Sequence, residues 1–290
     1  MLVPLQEKDF NKYIDFAYEL ALDPARTCYP VYYDGVKTRA LFEADARKGI
    51  SLPEDQILLY EEDGVIEGWL HYYYLPEDRY IAHRSCGVRR NTARALQELS
   101  EHLAARYPGC EWAVGFPSEN QEALDWVQGA GFELLEDSQY YTFHFDQYIP
   151  GPEDPSVERI TEENFEKFQR VHRTIEADMF WNCRRVREKL SDWTIFVAEE
   201  DGVAGEIMAK EIIARGSGGS TYEIFAICCE DGQHHEGLYR QLLARFLNEG
   251  KRQGAKDLTF FVGTDDEMNR IMRSLGFHHV GRYLGYHKVI

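Results

Sequence analysis

The stretch Glu223–Tyr239, EIFAICCEDGQHHEGLY, decides how the rest of this sequence is interpreted. Thr221–Cys229 is apolar and rich in β-branched and aromatic residues, which predicts a strand. A short polar loop follows, and we expect a helix over Gly237–Gly250. The unpaired N–H groups and the dipole at a helix N-terminus favour an anion, and a glycine there lets the backbone approach closely. The stretch therefore predicts the strand, loop and helix of an α/β domain.

The chain also repeats itself on either side of this stretch. Glu61–Val65, EEDGV, recurs as Glu199–Val203, 138 residues later. Gly131-Phe132 recurs as Gly276-Phe277, 145 residues later. Two matches in the same order and at similar spacing indicate a duplicated domain of about 140 residues.

Each half has the same order of predicted elements: a strand, two helices, three strands, a helix, a strand, a helix and a closing hairpin. This mixed order is typical of an α/β (α+β) domain. The segment 149–156 holds three prolines and a glycine and is predicted to be a linker. We therefore predict an N-terminal domain at 1–148 and a C-terminal domain at 157–290. Each is expected to have a mixed, mostly antiparallel sheet flanked by helices.

The composition is that of a globular protein with a strong negative charge. The formal net charge of -18 repels the phosphates of nucleic acids and attracts cations. The six cysteines form no C-x-x-C pair, so we expect reduced and mostly buried thiols. No apolar run approaches the roughly 18 residues of a membrane span, and the N-terminus has no features of a signal peptide. We expect a cytoplasmic protein with neither nucleic-acid nor membrane partners.

The repeated order of elements, with a Gly-Phe pair near each end, resembles the GNAT superfamily of acyl-CoA-dependent N-acyltransferases. In that family a strand leads into a Q/R-x-x-G-x-G/A loop and a helix whose N–H groups face the pyrophosphate of CoA. Gly237 matches the central glycine, His234 takes the Q/R place and Tyr239 takes the last one. The resemblance implies acetyl-CoA as co-substrate. It would be held by the strand end and the loop, namely Ile227, Cys228, Cys229, His234, His235, Glu236, Gly237, Leu238 and Tyr239, together with Asp265 before the last helix.

The first half resembles the family less closely at the same motif. Alignment gives Arg90–Ala95, RNTARA, which has no glycine, and places Arg79 where the second half has Glu223. Its later helix, Asn120–Phe132, matches the family's N-x-x-A…G-F pattern, which preserves the fold. We predict that the first domain is degenerate and that the second carries the acetyl-CoA site.

The resemblance also implies catalytic residues. Some members carry a carboxylate on this strand that takes the proton of the amine, so Glu223 is the first candidate for the general base. Glu206 on the preceding strand is the reserve candidate. The family's tyrosine on the later helix, which protonates the leaving thiolate, has no match here. Tyr239 is assigned as the catalytic acid, with Tyr222, Tyr283 or solvent as alternatives.

The acceptor would be an amine. Glu176–Asn182 lies between the first two helices of the second domain, which form the wall of the acceptor site in the family. Acidic groups beside aromatic rings suit a cationic amine through ion pairing and cation–π contact. The predicted acceptor-binding residues are Glu176, Asp178, Trp181, Glu206 and Tyr222. Some tandem members of the family acylate small polar amines, so the resemblance favours a small acceptor over a peptidic one. We expect the protein to be a monomer or a homodimer.

Other chemistries are weaker interpretations of this sequence. Cys228 and Cys229 are expected to offer main-chain contacts and not to act as nucleophiles. The His234-His235 and His278-His279 pairs fit no zinc pattern, so no metal is expected. The leading hypothesis is an N-acetyltransferase that works by direct transfer. The alternatives are a non-catalytic domain pair that binds CoA or another ligand or serves as a scaffold, and an acyltransferase that uses a longer acyl-CoA.

Overall fold

The computed structural model describes residues 1–176, 179–213, 219–233 and 235–290. These residues form two compact units. Unit 1 is Met1–Ser138 with Gly281–Ile290, and unit 2 is Gln139–Val280. Within the described residues, none of the helices combines the length and the apolar composition needed to cross a bilayer.

Unit 1 contains four helices and a sheet in the order β1-β2-β3-β4-β5-β12. Only β4 and β5 are parallel; the other neighbours are antiparallel. The strands are β1 Leu2–Pro4, β2 Asp55–Glu62, β3 Val65–Leu75, β4 Tyr80–Val88, β5 Glu111–Pro117 and β12 His278–Val289. The helices are α1 Phe10–Ala21, α2 Arg39–Ser51, α3 Thr92–Arg106 and α4 Gln121–Gly129.

Unit 2 contains the sheet order β6-β11-β10-β9-β8-β7, in which β10 and β11 are parallel. The strands are β6 Glu133–His144, β7 Glu158–Arg159, β8 Trp193–Glu200, β9 Val203–Ile213, β10 Ser220–Cys229 and β11 Ala255–Gly263. Residues 133–138 of β6 belong to unit 1, and residues 278–280 of β12 belong to unit 2. The helices are α5 Phe165–His172, α6 Cys183–Glu188, α7 Glu236–Gln253 and α8 Asp266–Ser274.

The repeated EEDGV sequence forms the same hairpin in both units. Asp63 and Gly64 have φ values of 50° and 78° between β2 and β3, and Asp201 and Gly202 have 52° and 84° between β8 and β9. Two consecutive left-handed residues give a turn whose twist matches that of the strands it joins, and Asp-Gly is a favoured pair for it. The predicted hairpins are therefore present in both halves.

The ends of the two halves differ from the prediction. Each predicted closing hairpin is one continuous strand, β6 or β12. In addition, the compact units do not follow the boundaries 1–148 and 157–290, because Gly281–Ile290 packs with unit 1. Tyr283–Val289 pairs antiparallel with Glu111–Pro117 of β5. The pairing satisfies backbone groups that an edge strand would leave exposed. Lys288 reinforces it, since its ammonium donates to the Ala130 carbonyl at 2.5 Å.

The sheet of unit 2 is covered on both faces. The leucines and Phe246 of α7 recur at helical spacing and pack on one face with α8. Phe165 and Phe168 of α5 pack with α6 on the other face. Residues of β8 alternate between these two cores, as side chains on a strand must. The two helical layers hold β10 and β11 rigidly at the place where the sheet opens.

Candidate active site

Unit 2 has a cleft between β10 and β11. The two parallel strands are paired as far as Ile224 and Phe260, and then continue apart to Cys229 and Gly263. The cleft between the separated ends has a volume of about 390 Å³, with Phe225–Cys229 on one wall and Phe260–Gly263 on the other. This volume lies in the range of small-molecule sites.

A β-bulge begins where the cleft opens. On β9, Ala209 pairs with Ile224 and Met208 pairs with Ala226, so Phe225 is an extra residue. A bulge leaves the extra residue outside the ladder and reverses the alternation of side chains beyond it. Cys228 consequently lies across from Glu206 of β9. Beyond Ile224, β10 stays paired with β9 but no longer with β11, so its peptide groups on the β11 side face the cleft, where a ligand can pair with them.

The N-terminus of α7 lies beside the cleft. Its first amides, from Glu236 to Leu238, have no partners within the helix, as in every α-helix, and favour an anion. His235 does not cap the helix; its Nε2 atom is 2.8 Å from Asp231 Oδ2. A Cβ atom on Gly237 would lie 2.8 Å from the carboxylate of Glu200. The anion site therefore has an acidic side chain next to its glycine.

Glu223 is buried in the closed part of the β10–β11 pair, where only 5% of its surface is exposed. Its carboxylate accepts a hydrogen bond from Thr259 Oγ1 at 3.3 Å. Across β9 it is in register with Lys210. Glu223, the predicted base, is thus a buried carboxylate that is fixed by a hydrogen bond and lies two residues before the bulge at the start of the cleft.

Glu206 forms a buried pair with His172. Both side chains are fully buried, and His172 Nδ1 lies 2.6 Å from Glu206 Oε1. The other ring nitrogen, Nε2, lies 2.7 Å from the Trp181 carbonyl, which can only accept, so Nε2 carries a hydrogen. One further proton is then shared between Nδ1 and the carboxyl group. Burial opposes protonation of His172, but the hydrogen bond and the charge of Glu206 outweigh it and raise the pKa of the imidazole.

This geometry makes Glu206 a poor free base. Burial raises the pKa of its carboxyl group, although the hydrogen bond from His172 opposes that shift. Its Oε1 is engaged by His172, and its Oε2, which has no hydrogen-bond partner among the described residues, is fully buried and closed to a substrate. Glu206 therefore holds His172, and through it the Trp181 backbone, whereas Glu223 remains the better candidate for proton transfer.

The two vicinal cysteines stay protonated at neutral pH. Burial, with the nearby charge of Glu206, raises the pKa of Cys228 far above its usual range. Burial raises the pKa of Cys229 to about 11. The Tyr239 hydroxyl, which hydrogen-bonds with Cys229, also has a raised pKa, chiefly because it is buried. Since the thiolate is the nucleophilic form, neither cysteine is activated for a covalent step.

The segment predicted to bind the acceptor packs its aromatic rings against those of β8 and β10 in unit 2. The rings of Trp181 and Trp193 meet edge to face at 5.1 Å, and Phe225 lies 5.3 Å from Trp193. The Lys210 ammonium lies over both indoles, 5.1 Å from Trp181 and 5.5 Å from Trp193. Glu176 accepts a hydrogen bond from the Cys183 backbone at 3.1 Å and thereby fixes the start of α6.

Some predicted residues lie elsewhere. The Tyr222 hydroxyl donates to Gln253 at 2.6 Å and its ring packs on Phe246, so it faces α7 and not the acceptor wall. The Leu238 side chain is buried in the core, and only its backbone is available to a ligand. Among the cofactor residues, Ile227, Cys228, Cys229, Tyr239 and Asp265 line the cleft. Asp178 and His234 lie outside the described residues.

The sequence interpretation missed the second wall of the cleft, Phe260–Gly263, and the closing contacts from Ile175 and Met179. The second wall had a signal in the sequence. A strand, a long helix and another strand form a βαβ crossover, which places β11 parallel to its predecessor. His172 had none, because its partner Glu206 is distant in sequence.

Unit 1 has the same elements, but one of its own carboxylates already lies at the helix N-terminus where an anion would bind. The Glu122 carboxylate accepts a hydrogen bond from the Ala93 amide at 3.1 Å, at the start of α3. The bulge on β4 makes Arg84 the extra residue, which aligns Ala82 with Glu223. Arg79 was therefore the wrong equivalent, since the bulge and not the distance to the loop fixes the alignment. Either way, unit 1 has no carboxylate at that place.

Neither protein-family profiles nor the sequences of curated proteins give a match to the chain. Several solved structures, in contrast, are similar to the chain over most of their length. A GCN5-related N-acetyltransferase from Sphaerobacter thermophilus has a TM-score of 0.66 at 15% identity and covers 100% of this chain and 95% of its own. A tandem GNAT protein from the clavulanic acid biosynthesis pathway has a TM-score of 0.61 at 12% identity, with 100% and 98% covered.

The likeness identifies the fold, which is that of the GNAT superfamily. The coverage of a tandem GNAT protein over its whole length shows that the chain has this fold twice, in the tandem form. The predicted fold class, two tandem α/β domains with mixed sheets, is confirmed.

Proposed function

We propose that this protein is an acyl-CoA-dependent N-acyltransferase whose acyl donor, acetyl-CoA in the first instance, binds in the cleft of unit 2. The observation that carries the proposal is the separation of β10 and β11 after Ile224 and Phe260, beside the N-terminus of α7. The cleft lies between two strands whose ladder has ended, which suits an extended chain that carries amide groups. Pairing with Phe225–Cys229 would resemble the addition of a strand to a sheet edge.

The anion end of this site fits the phosphates of CoA in one respect and opposes them in another. The free amides of Glu236–Leu238 favour phosphate. Glu200 next to Gly237 repels it, but Glu200 is exposed, so its side chain can turn away. We therefore expect acyl-CoA to bind, and to bind more weakly than it would to a helix start without this carboxylate.

The acceptor in this proposal is a cationic amine that reaches the cleft past Trp181 and Phe225, whose rings lie 6.3 Å apart. The Lys210 ammonium already lies over the rings of Trp181 and Trp193, at cation–π distance. A substrate ammonium would make the same contact only by displacing the Lys210 ammonium, and the net charge of -18 attracts it.

The chemistry would be a direct transfer. The amine nitrogen forms the new bond to the acyl carbon, the carbon–sulfur bond breaks, and the sulfur leaves as a thiolate. The ammonium first loses one proton to solvent, and Glu223, which is not among the residues that line the cleft, takes the second proton of the attacking nitrogen through water. Tyr239, whose pKa is raised, would donate a hydrogen bond to the thiolate, and solvent would supply its proton. Holding both substrates side by side supplies much of the rate by positioning.

A second candidate is a non-catalytic domain that binds CoA or a related ligand. The observation in its favour is the altered loop, where Tyr239 is buried at a place that the family keeps small, and Glu200 stands beside Gly237. Such a domain would keep the cleft and need no base. The two candidates differ in one outcome, which is whether an amine is consumed.

The proposal is tested by the release of free CoA thiol from acetyl-CoA in the presence of a panel of small amines, with mass spectrometry of the products. We expect thiol release that depends on one class of amine, with an acylated product of matching mass. Propionyl-CoA and longer donors in the same assay measure the acyl chain length. Binding of acetyl-CoA without any acylated product across the panel would contradict the enzyme and favour the binding domain.

A further inference from the structure

Unit 1 buries a cluster of two thiols and one imidazole that the proposed function does not use. Cys28, His83 and Cys86 place one Sγ, one ring nitrogen and a second Sγ within 4.8 Å of one another. The exposed fractions of these residues are 0%, 7% and 4%. We propose that these three residues bind a zinc ion.

The bulge on β4 creates the cluster. On a regular strand, residues 83 and 86 would point to opposite faces. The pairing of Tyr72 with His83 and of His71 with Ser85 makes Arg84 an extra residue. The reversal of alternation turns Cys86 to the same face as His83. Cys86 thereby takes the place that Ile227 has in the cleft of unit 2, by the same bulge alignment.

The third ligand comes from a distant segment that is fixed to β4. The Cys28 amide donates to the Cys86 carbonyl at 2.9 Å, and Thr27 bridges to Gly87. Asn120 holds the same segment through the Thr27 carbonyl at 2.9 Å. The backbones of Cys28 and Cys86 are therefore held in place whether or not an ion is bound, and a pre-organised ligand set loses little entropy on binding.

His83 is the observation that points to a ligand. Among the described residues, neither of its ring nitrogens has a hydrogen-bond partner, although both are buried. An unsatisfied buried polar group costs about 1–3 kcal/mol. Trp112, whose ring centroid is 5.8 Å from that of His83, also buries its Nε1 without a partner. A metal ion would accept the lone pair of one His83 nitrogen.

The chemistry of the donors selects the ion. Thiolate and imidazole are ligands of zinc, with Zn–S near about 2.3 Å and Zn–N near about 2.0 Å. Tetrahedral ligands at these lengths stand about 3.8 Å apart or less, so the donor atoms, which lie within 4.8 Å of one another, would draw together as the ion binds. Two thiolates and a neutral imidazole also cancel the charge of Zn²⁺. The complex is then electrically neutral, as an apolar interior requires. Each thiol gives its proton to solvent as the metal binds.

The proposal reverses the expectation from sequence that no metal is bound. That expectation came from adjacent histidine pairs, whereas these ligands lie at 28, 83 and 86 and meet only through the fold. Three protein ligands leave a fourth position for a small ligand such as water. The site would hold the Cys28 segment against β4 and so stabilise unit 1.

The test uses the whole chain, purified under reducing conditions and stripped of metal, and titrated with Co²⁺ and then with Zn²⁺. We expect one Co²⁺ per chain with thiolate-to-cobalt charge-transfer absorption, which Zn²⁺ displaces. Cys86→Ser should weaken Zn²⁺ binding at least about 100-fold, because it removes a metal ligand. Loss of a residue that only supports a ligand would weaken binding less. Cys110→Ser is the matched control, because Cys110 is equally buried in unit 1 and lies outside the cluster.

Zinc should also protect two of the six thiols of the wild-type protein from a thiol reagent, a measurement that needs no variant. Absence of the charge-transfer band would overturn the proposal. A Cys28–Cys86 disulfide that forms in the presence of equimolar zinc would overturn it too, and so would equal loss of binding in Cys110→Ser.

Discussion

Replacing Glu223 by glutamine is expected to lower kcat for acyl transfer by about 100- to 10,000-fold, which is the usual contribution of a positioned general base. The amide has the same shape as the carboxylate and can still accept the hydrogen bond of Thr259, so the fold should be unaffected. It cannot take a proton from the amine. KM for the acyl donor should change little, because Glu223 lies in the closed part of the strand pair.

Glu211→Gln is the matched control, since Glu211 lies on the neighbouring strand and is exposed. It should leave kcat unchanged. Steady-state kinetics against pH add a second readout. Without the base, the variant should regain rate as the pH rises and more of the amine loses its proton in solution. A Glu223→Gln enzyme with more than half of the wild-type kcat would remove Glu223 from the mechanism.

Replacing His172 by phenylalanine is expected to lower the free energy of unfolding by about 3–5 kcal/mol, the cost of breaking a buried ion pair from one side. The new ring keeps the stacking on Phe168, whose centroid is 4.6 Å from that of His172. It leaves the Glu206 carboxyl and the Trp181 carbonyl buried without their partner. The decrease in the free energy of unfolding should therefore come from the unpaired polar groups and not from lost packing.

The double variant His172→Phe, Glu206→Leu separates these two causes. It removes the unpaired carboxyl group as well, and apolar replacements of a buried pair are often neutral or stabilising. Urea unfolding, followed by tryptophan fluorescence, should show the double variant near the wild type and the single variant far below it. A single variant that loses less than about 1 kcal/mol would mean that the pair is not buried as described.

The local elements could be predicted from the sequence, because their signals are local. Asp63-Gly64 and Asp201-Gly202 fix two hairpins through their own backbone preferences. The alternation in β10 and the helical spacing in α7 likewise lie within one segment. The strand-loop-helix motif at Glu223–Tyr239 is therefore enough to indicate where along the chain the cleft forms.

What the sequence did not reveal depends on contacts between distant segments. The predicted closing hairpin of the first half is instead the continuous strand β6, where Asp137 pairs with Arg282 at 2.5 Å. A bulge turns every later side chain of its strand to the opposite face of the sheet. The sequence around Phe225 and Arg84 has no local pattern that predicts a bulge there. The buried pair of His172 and Glu206 likewise meets only through the fold.

The central claim is that one cleft, between β10 and β11, binds the acyl donor. Isothermal calorimetry of the whole chain with acetyl-CoA tests it most directly, with Gly263→Phe as the blocking variant. Among the described residues, a Cβ at Gly263 has Asp265 as its one neighbour within 4 Å, at 3.7 Å, so the substitution can be introduced there without a backbone clash. Gly129→Phe is the matched control, since a Cβ there meets nothing within 4 Å and the residue lies in unit 1. We predict one site per chain, weakened at least about tenfold by Gly263→Phe and unchanged by Gly129→Phe. Two sites per chain, equal binding by Gly263→Phe, or no binding at millimolar acetyl-CoA would contradict the account.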